Sequence, residues 1–140
     1  MAKQLTVFIE NKKGSLNRLT KILKEEMINI ISFSLADTKD FGILRLMVSD
    51  PERAVQALKA RDISARLTDI TAVRLSIEVG SLYELLEELK DFNIQYLYVY
   101  SNREDSSGVI LKITEKEEAE QHMKDCGYRL LTDNEVYLDK

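Results

Sequence analysis

One cysteine in 140 residues, Cys126, leaves this chain without an internal disulfide and without a cysteine-built metal cluster. Histidine is equally scarce. With no second histidine and no cysteine at ligand spacing, His122 reads as a boundary residue of a helix, and no metal site is expected. A basic patch is also missing, since 20 lysines and arginines are scattered among 24 acids for a net charge of −4. Nucleic acids and anionic membranes both need such a patch, so neither is expected as a partner. No apolar run approaches a membrane span and the N-terminus lacks the shape of a signal peptide, so we expect a soluble, cytoplasmic protein. No nucleophile–base pair or carboxylate dyad can be assembled from the residues that stand out. That argues against an enzyme, and nothing calls for a cofactor.

What is present is an ordinary globular composition, 44% apolar and 31% charged, in a length that suits one domain or two very small ones. Leu5, Val7 and Ile9 alternate as in a strand, and Leu16, Leu19, Ile22, Leu23 and Met27 share one face of a helix from Ser15 to about Met27. Ile28 to Asp37 reads as a second strand, Thr38-Lys39-Asp40 as a hairpin turn, and Gly42 to Val48 as a third strand. Ser49-Asp50-Pro51-Glu52 supplies a cap, a first-turn proline and an acid, so a helix follows with Ala54, Val55 and Leu58 inside. Ser64 to Asp69 closes the series as a fourth strand.

The same order then recurs. Arg74 to Val79 reads as a strand, and Leu82, Leu85, Leu86 and Leu89 as a helix face. Ile94 to Tyr100 and Val109 to Ile113 are strands. Ala119, Met123 and Cys126 line a second helix that Gly127 ends, and Arg129 to Thr132 completes the unit. Gly14-Ser15-Leu16 matches Gly80-Ser81-Leu82, Asn29-Ile30 matches Asn93-Ile94, and Ser49-x-x-Glu52 matches Thr114-x-x-Glu117 as capping boxes. Leu67-Thr68-Asp69 likewise matches Leu131-Thr132-Asp133. The fold class is therefore α+β, with two ferredoxin-like βαββαβ units over residues 1–72 and 73–140. Units this small are marginal alone, so an intramolecular pseudo-dimer is expected.

Glu10-Asn11-Lys12-Lys13-Gly14-Ser15-Leu16 joins the first strand to the first helix. Such a loop presents N–H groups without intrahelical partners at the positive end of a helix dipole, which suits an anion. Its first turn holds Asn17 and Arg18 and no acid, whereas the later copy carries Glu84, where Ser81-x-x-Glu84 is expected to cap its own helix. Each such effect is worth roughly 0.3–1 kcal/mol, and several together favour one strong site per chain. Asn29 and Asn93 each follow a helix, where a left-handed conformation is expected. Tyr96, Tyr98 and Tyr100 alternate, and an open aromatic stripe on a helix-free sheet face points to a homodimer.

The loop from Glu10 to Leu16, followed by Asn29-Ile30, resembles the signature of ACT domains, in which an Asn-x-Pro-Gly type loop precedes the first helix and an Asn-Ile pair opens the second strand. The resemblance covers both halves. It implies a regulatory module that binds a free amino acid where two copies sit side by side. Carried over, Asn11 would hydrogen-bond the ligand, with Lys12 beside it. Backbone N–H groups from Lys13, Gly14, Ser15 and Leu16 would hold its carboxylate, and Asn93 and Ile94 would close the site. Asn29, Ile30, Gly80 and Ser81 would form a second, weaker site. Lys13 stands where the family often has proline, and Ile9 where some members place a polar contact.

A free amino acid of about ten heavy atoms, at roughly 0.4–0.7 kcal/mol per atom, binds with about 4–7 kcal/mol. The corresponding Kd is of order millimolar to micromolar, which suits a sensor of metabolite pools. The partner would be an enzyme or transporter of amino-acid metabolism. The alternative is a protein–protein interaction or dimerisation module with no small ligand. RNA binding would need aromatic and basic residues on the middle strands, and Ile43, Arg45 and Met47 do not supply them.

Overall fold

The computed structural model describes residues 2–37, 39–102, 106–132 and 135–136. Thr38 of the expected hairpin turn, Asp133 of the last repeat match, and the tail from 137 lie outside them. The elements run β1 (Lys3–Glu10), α1 (Ser15–Glu25), β2 (Ile30–Asp37), β3 (Phe41–Val48), α2 (Pro51–Lys59) and β4 (Ser64–Asp69). The series repeats as β5 (Thr71–Ser76), α3 (Ser81–Glu88), β6 (Ile94–Asn102), β7 (Ser106–Ile113), α4 (Lys116–Asp125) and β8 (Arg129–Leu130). The chain divides into an N-terminal unit, Lys3–Thr68, and a C-terminal unit, Asp69–Lys140 with Met1–Ala2. The two sheets have the orders β2-β3-β1-β4 and β6-β7-β5-β8, so each unit is a ferredoxin-like βαββαβ fold.

In the N-terminal unit Leu5 and Val7 on β1 pair with Leu46 and Leu44 on β3, and all four point to the helices. There they meet Leu19, Ile22 and Leu23 of α1 and Ala54 and Leu58 of α2, which the helical period brings onto one face. In the C-terminal unit Val73, Leu75, Val109, Leu111 and Ile113 meet Leu85, Leu89, Ala119 and Met123 in the same way. Each fully buried leucine contributes roughly 1.5–3 kcal/mol, and dozens of such groups offset the ordering of the chain.

Several local expectations are corrected. Strand β5 starts at Thr71 instead of Arg74, because Thr71, Ala72 and Val73 pair with Leu111, Ile110 and Val109; Ile77 and Val79 fall beyond it and are exposed. The capping boxes do not form at the expected residues. Asp50, not Ser49, caps α2 by accepting from Arg53 N–H at 3.3 Å. Ser49 Oγ accepts from Asn29 N–H at 2.9 Å, and Thr114 Oγ1 accepts from Asn93 Nδ2 at 3.0 Å. Asn29 and Asn93 therefore brace the start of the following helix, and neither is left-handed. That conformation falls on Met27 and Asp62, both at φ 59°, and on Gly127 at φ 90°. The cause is helix termination. Met27 and Ile28 donate to Lys24 and Leu23, Asp62 and Ile63 to Lys59 and Leu58, and Gly127 and Tyr128 to Lys124 and Met123. These paired 5→2 and 6→1 bonds require a left-handed residue after the helix whatever its side chain.

The aromatic stripe is not open. Tyr100 is 4% exposed and Tyr96 and Tyr98 are half-buried, with the latter two rings stacked at 6.4 Å. Open apolar side chains lie instead on the edge strands: Phe33 and Leu35 on β2, Leu97 and Val99 on β6.

Candidate functional site

Gly14 turns the chain into α1. Its φ of 85° places it in the left-handed region, so that a Cβ would strain the backbone although open space surrounds it. With glycine at the cap position, no side chain closes the helix end. Ser15 N–H donates to Lys12 O at 3.3 Å and Arg18 N–H to Gly14 O at 2.9 Å, while among the described residues the N–H groups of Gly14, Leu16 and Asn17 meet no protein acceptor. The first turn holds no acid, so the dipole's positive end is uncompensated.

The second copy does not differ as expected. Gly80 caps α3 at φ 91°, also without a side-chain cap, and Ser81 is the first helical residue, so the Ser81-x-x-Glu84 box does not form. Ser81 Oγ donates to Ser76 O at 2.7 Å instead. The surviving difference is charge, since Glu84 occupies the first turn of α3.

Around the first helix end the N-terminal unit forms a cleft of about 450 Å³. Its polar lining is Glu10, Lys12, Lys13, Gly14, Ser15, Arg18, Asp62 and Ser64, and Phe8, Ile9, Phe41 and Ile63 give it an apolar part. Of the expected residues, it gathers Lys12, Lys13, Gly14 and Ser15; Leu16 and Asn11 are not in its lining. Asn11 is held at its edge, with Nδ2 donating to Asp37 Oδ1 at 3.3 Å and N–H donating to Asp40 O at 3.2 Å. Lys12 pairs with Glu10 at 3.3 Å in the open, which leaves Lys13 and Arg18 as the cations of the cleft. Arg18 Nη2 donates to Arg61 O at 2.9 Å, tying the start of α1 to the end of α2 and bringing Asp62 into the lining. Sequence reading missed Asp62. The only signal for it was its place just past the second helix of the first unit.

Asn93 and Ile94 belong to the C-terminal unit, where Asn93 N–H donates to Glu115 Oε1 at 2.8 Å. Asn29 and Ile30 line a shallow cleft of about 390 Å³ under the end of α1. Ser81, without Gly80, lines another of about 390 Å³ with Arg74, Glu84 and Arg129.

His122 is half-buried beside Met123, at the boundary where the sequence puts it, whereas the reading of Cys126 as part of the buried helix face is corrected. Cys126 is exposed, because the core of its unit ends on α4 at Met123, and its Sγ lies 3.7 Å from His122 Nε2. Cys126 donates to Glu88 Oε2 at 3.0 Å. Hydrogen bonds from Cys126 and then from His122 hold the Glu88 carboxyl below its usual range, and the same contact with Glu88 pushes the Cys126 thiol up.

Comparison with known proteins agrees with this architecture. No curated protein matches the chain. A crystal structure of a Bacteroides thetaiotaomicron protein is 33% identical, with a TM-score of 0.92 over 97% of this chain and 95% of that one. The ligand-free regulatory subunit of aspartate kinase from Thermus thermophilus shares the fold at 18% identity and a TM-score of 0.63, covering 89% of this chain and 92% of its own. The regulatory subunit of aspartate kinase from Thermus flavus does so at 18% and 0.62, covering 87% of this chain and 88% of its own. Among the described residues no helix is long and apolar enough to cross a membrane. The family model describing an ACT domain pair matches residues 1–130, and the chain belongs to that family.

Proposed function

We propose that the cleft at the start of α1 binds a free α-amino acid as its zwitterion, and that the chain is a non-catalytic sensor. One observation carries this reading: opposite charges and an apolar wall converge on one cleft. The free N–H groups at the helix end, with Lys13 and Arg18, suit an α-carboxylate, and Asp62 suits an α-ammonium. Phe8, Ile9, Phe41 and Ile63 suit an apolar side chain. The regulatory role of the Thermus kinase subunits supports a partner enzyme or transporter of amino-acid metabolism, met in the cytoplasm.

A thermal-shift series with the twenty amino acids at millimolar concentration tests the reading. Stabilisation by a subset with apolar side chains is expected. No stabilisation by any of them would favour the second reading, an interaction module. That alternative draws support from the exposed Phe33, Leu35, Leu97 and Val99 on edge strands, which also underlie our proposal of a homodimer.

A further inference from the structure

The C-terminal unit holds a side-chain cluster that the amino-acid cleft does not use. His122 lies on α4, Cys126 is the residue that caps its C-terminus four positions on, and Glu88 is the last residue of α3. Glu88 Oε2 lies 3.0 Å from His122 Nε2 and 3.0 Å from Cys126 Sγ, and the sulfur and the ring nitrogen are 3.7 Å apart. One carboxylate oxygen, one imidazole nitrogen and one sulfur therefore form a small triangle, all within 4.8 Å of one another.

The chemistry of that triangle distinguishes two uses. A cysteine nucleophile needs a relay, with the thiol on one imidazole nitrogen and the carboxylate on the other. Here Cys126 and Glu88 both approach Nε2, so the relay is absent and the three donor atoms are clustered within 4.8 Å of one another. Zinc bonds of about 2.0–2.1 Å to nitrogen, 2.0–2.2 Å to oxygen and 2.3 Å to sulfur give tetrahedral edges of about 3.3–3.6 Å. To accept such an ion, the oxygen–nitrogen and oxygen–sulfur edges of 3.0 Å would open by about 0.4 and 0.6 Å, within reach of side-chain rotation, while the 3.7 Å nitrogen–sulfur edge already fits.

The frame around the donors is set. The 5→2 and 6→1 bonds through Gly127 and Tyr128 fix the backbone at Cys126, and the Phe92 ring lies 6.0 Å from that of His122. The side chains of His122 and Glu88 are 42% and 43% exposed, and Glu88 and Cys126 line a cleft of about 320 Å³, so a fourth position faces solvent. Thiolate, imidazole and carboxylate together match zinc better than magnesium or calcium, which prefer oxygen alone.

We propose that Glu88, His122 and Cys126 bind one divalent zinc-type ion, with an open fourth position for water or an exogenous ligand. Binding replaces the thiol proton of Cys126, which leaves to solvent. The site is independent of the amino-acid cleft.

Cobalt(II) titration of the full chain tests this, because the chain has one cysteine and one histidine and any thiolate or imidazole signal reports this site alone. The expected result is one equivalent of Co²⁺ giving a sulfur-to-cobalt charge-transfer band, displaced by Zn²⁺. Cys126→Ser should abolish the band, and His122→Gln and Glu88→Gln should each weaken Zn²⁺ binding at least about tenfold, the scale on which even supporting residues tune metal sites. Zn²⁺ should also slow alkylation of Cys126 in the unaltered protein at least about tenfold. All three side chains are partly exposed, so the variants should keep the circular dichroism of the parent. Absence of the charge-transfer band, equal affinity for Zn²⁺ in Cys126→Ser, or alkylation at the same rate with and without Zn²⁺ would overturn the proposal.

Discussion

Gly108→Ala is the substitution whose consequence the structure states most sharply. A Cβ at Gly108 would lie 2.3 Å from Tyr100 Cε1, 2.4 Å from Cζ and 2.9 Å from Cδ1. Carbon atoms rest at about 3.5–4.0 Å, so the ring must retreat by more than about 1 Å. Tyr100 is only 4% exposed and has little room to do so. Forcing an added carbon into such packing costs about 1–3 kcal/mol. If the ring instead swings out, it forfeits burial worth about 1.5–3 kcal/mol. It also loses Arg74, whose Nη2 donates to the hydroxyl at 3.3 Å and whose guanidinium lies 5.7 Å from the ring centre. The first route gives a destabilisation of about 1–3 kcal/mol and the second about 2–4 kcal/mol once the Arg74 contacts are included. Gly108 is not at positive φ, so no backbone strain enters. The assay is urea unfolding of a double-mutant cycle followed by circular dichroism and by hydrogen exchange on β6 and β7. In the Tyr100→Ala background the same Gly108→Ala change should cost less than about 0.5 kcal/mol, or gain, since alanine outperforms glycine in a strand. Additive effects, with Gly108→Ala equally costly whether or not the ring is present, would refute the reasoning.

Three further outcomes are expected. Met27→Gly should stabilise the N-terminal unit by about 0.5–1 kcal/mol in denaturant unfolding, because Met27 is left-handed at φ 59° and 85% exposed, so strain is relieved and little packing is lost. Thr71→Val should destabilise by about 1–2 kcal/mol, because the buried Thr71 hydroxyl donates to Glu120 Oε2 at 2.6 Å and, among the described residues, the carboxylate then keeps only Lys116 at 3.1 Å. Asp62→Asn should preserve the fold, since asparagine tolerates positive φ, yet weaken amino-acid binding about 10- to 100-fold in calorimetry, as befits one charge-assisted hydrogen bond.

The elements were legible in the sequence because each carries its own period. Leu5, Val7 and Ile9 alternate, Leu19, Ile22 and Leu23 recur at helical spacing, and both patterns survive packing since they define the buried face. The repeated Gly-Ser-Leu and Asn-Ile pairs fixed the register of the second unit onto the first. Caps were less legible, because the residue that takes the cap position is chosen by the backbone path. Gly14 and Gly80 enter their helices left-handed and move Ser15 and Ser81 inside, so a serine followed by an acid gave the wrong partner. The left-handed end at Gly127 was legible, but those of the first unit were misplaced for the same reason: the terminating bonds demand them at Met27, whose side chain has no preference for that conformation, and at Asp62, whose tolerance of it is only one of several roles. Groups joined across helices were invisible. Asp62 reaches the α1 loop only because Arg18 docks on Arg61 O, and Glu88 meets His122 and Cys126 only once α3 and α4 share a sheet face.

The most direct measurement is a calorimetric titration of the full chain with the amino acid that gives the largest thermal shift, run beside the same compound with its α-carboxylate converted to an amide. Free N–H groups at Gly14, Leu16 and Asn17, with Lys13 and Arg18 nearby, predict one site per chain with a Kd of order millimolar to micromolar, weakened at least about tenfold for the amide. Two equal sites, or an amide that binds as tightly as the acid, would contradict it.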